Sequence, residues 1–271
     1  MKKVVEPYLL AFDMDGTLLD DKKEICPKTL RYLKKLIKQG HKVIISSGRP
    51  IRSIMSYYDQ LGLDTPVVCY NGELVCSPKD SNFKEERHEI PREVILEILS
   101  KIKDNALNVM CETDDKVFID KEDEYLDRFF WYKGMEIIKG EMKDILSKDT
   151  MTFLVKAPKE YKNLGQIEKV VEKWPDLVPI FWIGSPYFEI HHKETSKGTG
   201  VKHIAEYYNI PRERVIAFGD ATNDIEMFEY AKTSVLMSNA KFDLKDKVTM
   251  ISLKDNNHNG IYYTLKKILN A

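Results

Sequence analysis

The chain has 271 residues, of which 43% are hydrophobic and 31% are charged. This composition is that of a folded protein and excludes a disordered chain, and the length predicts roughly two domains. The 42 Lys and Arg residues nearly balance the 43 Asp and Glu residues, so the net charge is -1. No global basic field exists to attract nucleic acid or an anionic membrane, and we expect neither partner, although a local basic patch is not excluded.

The N-terminal sequence and the cysteine pattern favour a protein inside the cell. The N-terminal apolar run is short and is interrupted by Glu6, Pro7 and Asp13, unlike a signal peptide. No stretch reaches the roughly 18 apolar residues that a spanning helix needs. The four cysteines lack CxxC spacing, which favours reduced thiols. We therefore expect a cytoplasmic protein, and its oligomeric state is left open.

Strand and helix alternate over the first 75 residues. Short apolar runs predict strands and 3.6-residue periodicity predicts helices in the order Tyr8–Asp13 (strand), Pro27–Gln39 (helix), Lys42–Ser46 (strand), Ile51–Leu61 (helix) and Pro66–Tyr70 (strand). Asn71-Gly72 then predicts a tight turn into a strand at Glu73–Cys76. This β-α-β-α-β order predicts a parallel sheet with right-handed crossovers and helices on its faces.

The order of predicted strands and helices changes after the polar stretch Ser77–Glu89. Helices are predicted near Pro91–Lys103, Glu122–Tyr132 and Tyr161–Trp174. Strands are predicted at Ala106–Glu112, Lys116–Asp120, Met151–Ala157, Leu177–Ile183 and Tyr187–His191. Hairpins mixed with helices in this way favour a separate α+β domain.

From Ser196 the alternation of strands and helices seen in the first 75 residues returns. Helices are predicted at Lys197–Tyr208, Ile225–Tyr230 and Tyr262–Leu269, and strands at Arg214–Phe218 and Thr233–Met237. The simplest arrangement is one α/β core formed by residues 1–80 and 190–271, with a second domain, residues 81–189, inserted into it.

Polar side chains follow three of the predicted core strands. They are Asp13-Met14-Asp15-Gly16-Thr17, Ser46-Ser47-Gly48-Arg49 and Gly219-Asp220. Such residues are also favoured helix N-caps, but capping alone does not account for carboxylates at two of the three ends. Ligands bind at the carboxyl ends of strands in open parallel sheets, so these ends indicate a site.

Asp13 and Asp15 predict a cation at that site. Alternate residues of an extended segment point the same way, so the two carboxylates converge. Like charges so close repel each other unless a cation or a shared proton intervenes. An oxygen-rich set without His or Cys suits Mg²⁺, which also binds phosphate oxygens.

Five segments resemble the haloacid dehalogenase-like phosphotransferases. FDMDGTLL at Phe12–Leu19, IISSGRP at Ile44–Pro50, TSKGTGV around Lys197 and GDATNDIEMF at Gly219–Phe228 are similar to that family's four motifs, in the same order. YNGELV at Tyr70–Val75 resembles a segment of its Cof-type subfamily. The resemblance implies a Rossmann-like α/β core with helices on both faces of a parallel sheet, plus an inserted α+β cap that selects the substrate.

The resemblance also implies roles for individual residues. Asp13 is the nucleophile that forms an aspartyl-phosphate, and Asp15 is the general acid and base. Mg²⁺ is held by Asp13, by the backbone carbonyl of Asp15 and by Asp220, and Asp224 supports the metal or Lys197. The residues that contact the phosphoryl group are Met14, Ser47, Gly48, Lys197 and Asn223. Ser47 stands where threonine is commoner, which keeps the hydroxyl.

Other polar residues carry open alternatives. Arg49 either contacts substrate or braces its loop, and Glu189 faces either substrate or solvent. His191 and His192 are adjacent on a predicted strand and point to opposite faces, which disfavours a histidine metal site. The predicted function is a Mg²⁺-dependent phosphatase acting on a small phosphorylated metabolite, a sugar phosphate or a phosphorylated cofactor. The alternatives are a phosphomutase of the same superfamily and a non-catalytic regulator that binds phosphate esters.

Overall fold

A computed structural model describes residues 6–102, 106–123, 126, 135–158, 164–182 and 185–269. The chain divides into two compact units. The core contains the residues up to Glu86 and those from Thr195 onward, and the insert contains Arg87–Glu194. That the insert selects the substrate stays a prediction.

The first part of the core alternates strand and helix as predicted. Its elements are β1 (Leu9–Phe12), α1 (Pro27–Lys38), β2 (Lys42–Ile45), α2 (Ile51–Leu61), β3 (Val67–Cys69), β4 (Leu74–Cys76) and β5 (Glu86–Arg87). The insert adds α3 (Arg92–Ile102), β6 (Asn108–Glu112), β7 (Lys116–Ile119), β8 (Glu136–Lys139), α4 (Met142–Ile145), β9 (Thr152–Lys156), α5 (Leu164–Val171), β10 (Leu177–Phe181) and β11 (Tyr187–His192). The core then continues with α6 (Lys197–Tyr207), β12 (Val215–Gly219), α7 (Ile225–Tyr230), β13 (Thr233–Leu236), β14 (Met250–Ile251) and α8 (Gly260–Leu269).

The core sheet is parallel and combines strands from both ends of the chain. Its order is β14-β13-β12-β1-β2. Central β1 pairs with β2 on one side and with β12 on the other, and Leu9 lies opposite Lys42 and Val215. A parallel bridge from Ser46 to Val68 joins β3 to this edge. All four β1 side chains are buried because a central parallel strand is covered on both faces.

Helices cover the two faces of this sheet. Leu9 and Ala11 of β1 share an apolar cluster with Val201 of α6 and Met227 of α7. Helix α1 contacts β2 and α8, and its residues lie outside that cluster. The predicted α/β class with a parallel sheet and a separate insert sheet is confirmed.

The insert is built on a six-stranded sheet in the order β10-β11-β9-β6-β7-β8. Its pairs are antiparallel except β7 with β8. One face forms an apolar cluster with α3 and α5 that includes Ile95, Ile98, Phe153, Ile167 and Phe188. Strand β8 and helix α4 were not predicted from the sequence. The helix predicted near 122–132 falls almost entirely outside the described residues.

No helix in the described ranges is both long enough and apolar enough to cross a membrane.

Candidate active site

The end of β1 and the end of β12 meet at one edge of the core sheet. The Asp13 N–H donates a hydrogen bond to the Phe218 carbonyl at 3.0 Å, which brings the chain after β1 beside the chain after β12. Gly16 has φ +79°, and a Cβ at this position would collide with the Asp220 carboxylate. Glycine is therefore required here both by the backbone conformation and by the close approach of Asp220.

Three carboxylates gather at this edge. Asp13, Asp220 and Asp224 can each supply an oxygen such that all three oxygens lie within 4.8 Å of one another. Asp224 is fully buried, and its Oδ2 accepts hydrogen bonds from the N–H groups of Asp220 at 2.9 Å and Ala221 at 3.0 Å. Asp224 thus holds the backbone that carries Asp220. We call these residues the carboxylate cluster.

Lys197 supplies the cation that faces this cluster. It is the first residue of α6, whose N-cap is Ser196, and only 1% of its surface is exposed. Its Nζ lies 2.7 Å from Asp13 Oδ1 and 2.7 Å from Asp224 Oδ1. One ammonium group therefore faces three carboxylates, which leaves negative charge uncompensated.

The pKa values in the cluster follow from burial and this charge imbalance. Burial, together with the charges of Asp224 and Asp220, raises the pKa of Asp13 to about 8 despite the nearby ammonium. Burial and Asp224 raise the pKa of Asp220 to about 6. Burial alone would lower the pKa of Lys197, but Asp13 and Asp224 outweigh it and raise that pKa. In the absence of another cation, protons thus neutralise part of the cluster, and its all-oxygen donors fit Mg²⁺.

Asp15 lies outside the carboxylate cluster and has its own cations. Arg49 donates to both of its oxygens, from Nε at 2.7 Å and from Nη2 at 2.6 Å, and Lys23 Nζ lies 2.6 Å from Oδ1. Burial favours the neutral acid, but the hydrogen bonds and charges of Arg49 and Lys23 lower the pKa of Asp15. Arg49 therefore braces Asp15, while its contact with substrate stays a prediction.

The remaining predicted residues also lie in the core. The buried Ser47 hydroxyl accepts from the Arg49 N–H at 3.2 Å, and Gly48 lies against the side chain of Asn71. Asn223 donates to Asn71 Oδ1 at 2.9 Å. The Met14 side chain is fully buried, so only its backbone could contact a ligand.

Asn71 was not among the predicted site residues. It has φ +54°, within the short 3₁₀ turn Tyr70–Gly72 that joins β3 to β4. A non-glycine residue in the left-handed region is uncommon, and asparagine is enriched there. The Asn-Gly pair in YNGELV was the signal in the sequence that could have singled it out.

Glu189 and His191 lie in the insert. Both are buried, and His191 Nε2 lies 2.9 Å from Glu189 Oε2. In the part of the chain that the structure describes, the carboxylate cluster is the one grouping of three or more potential metal ligands.

Comparison with known proteins decides the family. A sequence model of the haloacid dehalogenase-like hydrolases matches residues 10–265. The chain belongs to this family. It is 33% identical over 266 residues to YitU of Bacillus subtilis, a 5-amino-6-(5-phospho-D-ribitylamino)uracil phosphatase, with 97% of each chain covered. The predicted membership among Cof-type phosphatases of the haloacid dehalogenase-like family is confirmed.

Solved structures of the family agree with the fold. The crystal structure of a Thermotoga maritima protein has 27% sequence identity and a TM-score of 0.77, and 97% of each chain is covered. A sugar phosphatase of subclass IIB has 20% identity and a TM-score of 0.78, with 97% of this chain and 100% of that chain covered. At that identity the second likeness concerns the fold alone.

Proposed function

We propose that this hydrolase is a Mg²⁺-dependent phosphatase that cleaves small phosphomonoesters through an aspartyl-phosphate on Asp13. The observation that carries the proposal is the carboxylate cluster around Asp13, in which a single buried ammonium faces three carboxylates. Phosphoryl transfer depends mainly on positioning and on neutralising charge, and this arrangement is suited to both.

In the first step Asp13 attacks phosphorus. Lys197 holds Oδ1, so Oδ2 is the oxygen that forms the new bond to phosphorus while the bond to the leaving oxygen breaks. The negative charge of the ester that binds beside Asp15 raises the pKa of this carboxyl group, so Asp15 takes up a proton and then gives it to the leaving oxygen. The phosphoryl oxygens are held by the Met14 backbone, the Ser47 hydroxyl, the Gly48 N–H, the Lys197 ammonium and the Asn223 amide.

In the second step Asp15 accepts a proton from water, which attacks phosphorus and releases inorganic phosphate and free Asp13. Asp13, Asp220 and the Asp15 carbonyl would hold Mg²⁺. Asp224 would not bind the ion but would hold two neighbours of the site in place, since it accepts hydrogen bonds from the Lys197 ammonium and from the Asp220 N–H. When bound, the ion would neutralise negative charge on the phosphoryl oxygens.

The substrate class is supported by a relative. YitU acts on a phosphorylated ribitylamino compound by name. That name describes a phosphate on a polyol chain derived from a sugar, so we assign this chain a phosphorylated sugar or polyol metabolite in the cytoplasm.

The test is phosphate release from a panel of phosphorylated metabolites with Mg²⁺ present, with Asp13→Asn as the matched control. We expect inorganic phosphate from at least one sugar or polyol phosphate and none from the variant. An isomerised sugar phosphate without phosphate release would instead identify a phosphomutase. Binding without turnover of any ester, including p-nitrophenyl phosphate, would identify a non-catalytic regulator.

A further inference from the structure

Four residues beside the carboxylate cluster form a closed network. Lys23 Nζ lies 2.6 Å from Asp15 Oδ1. Arg49 Nη2 lies 2.6 Å from the same oxygen, and Arg49 Nε lies 2.7 Å from Asp15 Oδ2. The guanidinium carbon of Arg49 also lies 5.9 Å from the centre of the Tyr57 ring. The Tyr57 hydroxyl closes the circle by donating to the Lys23 carbonyl at 2.9 Å. We call these four residues the Asp15 network.

Hydrogen bonds to Asp20 fix the backbone of the turn that carries Lys23. Asp20 Oδ1 accepts hydrogen bonds from the N–H groups of Lys22 and Glu24, each at 2.9 Å, and the Lys23 N–H donates to the Asp20 carbonyl. Lys23 itself has φ +63°, in the left-handed region that a lysine rarely adopts. Such a conformation persists only where its surroundings hold it, and here Asp20 and Tyr57 do so.

Stability does not explain the Lys23 contact. The Lys23 and Asp15 side chains are 47% and 43% exposed, and ion pairs with such exposure contribute little to folding. The contact does restrict Asp15, whose carboxylate is otherwise open to solvent on one side. With donors from Arg49 and Lys23 on both of its oxygens, this carboxylate has one defined orientation.

We propose that Lys23 and Tyr57 are positioning residues that hold the Asp15 carboxyl group for proton transfer to the leaving oxygen, with Tyr57 acting through Lys23. This inference rests on the proposed phosphatase function. Arg49 fixes the plane of the carboxyl group, Lys23 fixes it from the solvent side, and Tyr57 fixes the backbone from which Lys23 extends.

The dependence on the leaving group separates positioning of the acid from a general structural role. An alkoxide leaving group needs a proton as the bond to phosphorus breaks, whereas p-nitrophenolate leaves without one. A misplaced Asp15 therefore slows the cleavage of an alkyl phosphate but not that of p-nitrophenyl phosphate. A partly unfolded enzyme loses activity on both substrates equally.

The experiment compares kcat/KM, which reports the steps up to transfer to Asp13, for p-nitrophenyl phosphate and for the alkyl phosphate turned over fastest in the panel. The variants are Lys23→Ala, Tyr57→Phe and the double variant. The matched controls are Lys22→Ala, the exposed neighbour in the same turn, and Tyr32→Phe on α1. Thermal melting checks that each variant is folded.

We expect Lys23→Ala to lower kcat/KM about tenfold or more for the alkyl phosphate and less than twofold for p-nitrophenyl phosphate. Tyr57→Phe should give a smaller loss of kcat/KM that again affects the alkyl phosphate more than p-nitrophenyl phosphate. The double variant should be no worse than Lys23→Ala. Lys23→Arg should recover part of the activity that Lys23→Ala loses. Both controls should match the wild type.

Equal losses on the two substrates, additive effects of the two changes, or a wild-type rate in Lys23→Ala would overturn the positioning roles while leaving the phosphatase intact. A wild-type enzyme that releases no phosphate from either ester would instead remove the proposed function, and the positioning roles with it.

Discussion

Lys197 and Asp13 are 184 positions apart in the chain, yet Lys197 Nζ and Asp13 Oδ1 are separated by 2.7 Å in the fold. The same ammonium group contacts Asp224, which in turn accepts the Asp220 N–H. One lysine therefore ties together the ends of β1 and β12 and the first turn of α6.

Metal removal is the first prediction. With EDTA, turnover should fall to background, because the carboxylate cluster and the phosphoryl group then share a single ammonium, and added Mg²⁺ should restore it. Mg²⁺ should also raise the melting temperature, since a ligand that binds only the folded state stabilises it. This increase should disappear in Asp220→Asn. Full activity of metal-free enzyme would contradict the assignment of a cation to this site.

Asp13→Asn tests the nucleophile. The amide keeps the shape of the side chain but cannot attack phosphorus, so turnover should fall by several powers of ten while the protein stays folded. Mass spectrometry of wild-type enzyme after a rapid acid quench should find the phosphoryl adduct on the peptide that contains Asp13. An adduct on the peptide with Ser47 or with His191 would overturn the assignment.

Lys197→Ala should reduce both rate and stability. One well-placed charged donor is typically worth about 3 kcal/mol in the transition state, so kcat/KM should fall at least about a hundredfold. Removing the Lys197 ammonium leaves the buried carboxylates without their cation. In the metal-free protein this should lower the free energy of unfolding by about 3 kcal/mol. An exposed lysine at a helix start would change stability by less than about 0.5 kcal/mol.

Denaturant unfolding in EDTA and steady-state kinetics measure these two losses. Lys197→Arg is the matched variant, because it keeps the charge but replaces a compact ammonium by a wide planar group. We expect it to recover little activity. Wild-type kinetics in folded Lys197→Ala would show that the ammonium has no role in the reaction.

The stability of the metal-free protein should fall as pH rises. The pKa values of Asp13 and Asp220 are raised from 3.8 to about 8 and about 6 in the folded chain. Above pH 4 the folded state thus binds more protons than the unfolded state, so the contribution of these groups is present at low pH and is lost by about pH 8.

Melting temperatures in EDTA between pH 5 and pH 8 measure this effect. The difference between the wild type and an Asp13→Asn, Asp220→Asn double variant isolates it from other titrating groups. That difference should change steadily across the range in EDTA, and its dependence on pH should shrink in saturating Mg²⁺, because the ion then replaces the protons. A difference independent of pH would mean that both carboxyl groups are already ionised at pH 5 in the folded state.

Secondary structure was most predictable where local periodicity was strong. The bounds predicted for Ile51–Leu61 and Ile225–Tyr230 agree with α2 and α7. The missed elements β5, β8, α4 and β14 are two to four residues long. They are too short to show a period, and they exist because neighbouring strands or helices support them.

The sequence by itself determined the family, the order of the core elements and the identity of the polar strand ends, since these depend on local pattern and on short motifs. Only the tertiary structure decided which charges face one another. Asp13 and Asp15 are two residues apart, yet one pairs with Lys197 from α6 and the other with Arg49 and Lys23. The left-handed turn at Lys23 and its contact with Tyr57 likewise depend on how α2 packs beside the loop after β1. Charge pairing acts over a few ångströms in space, and positions in the sequence do not report that distance until the sheet is assembled.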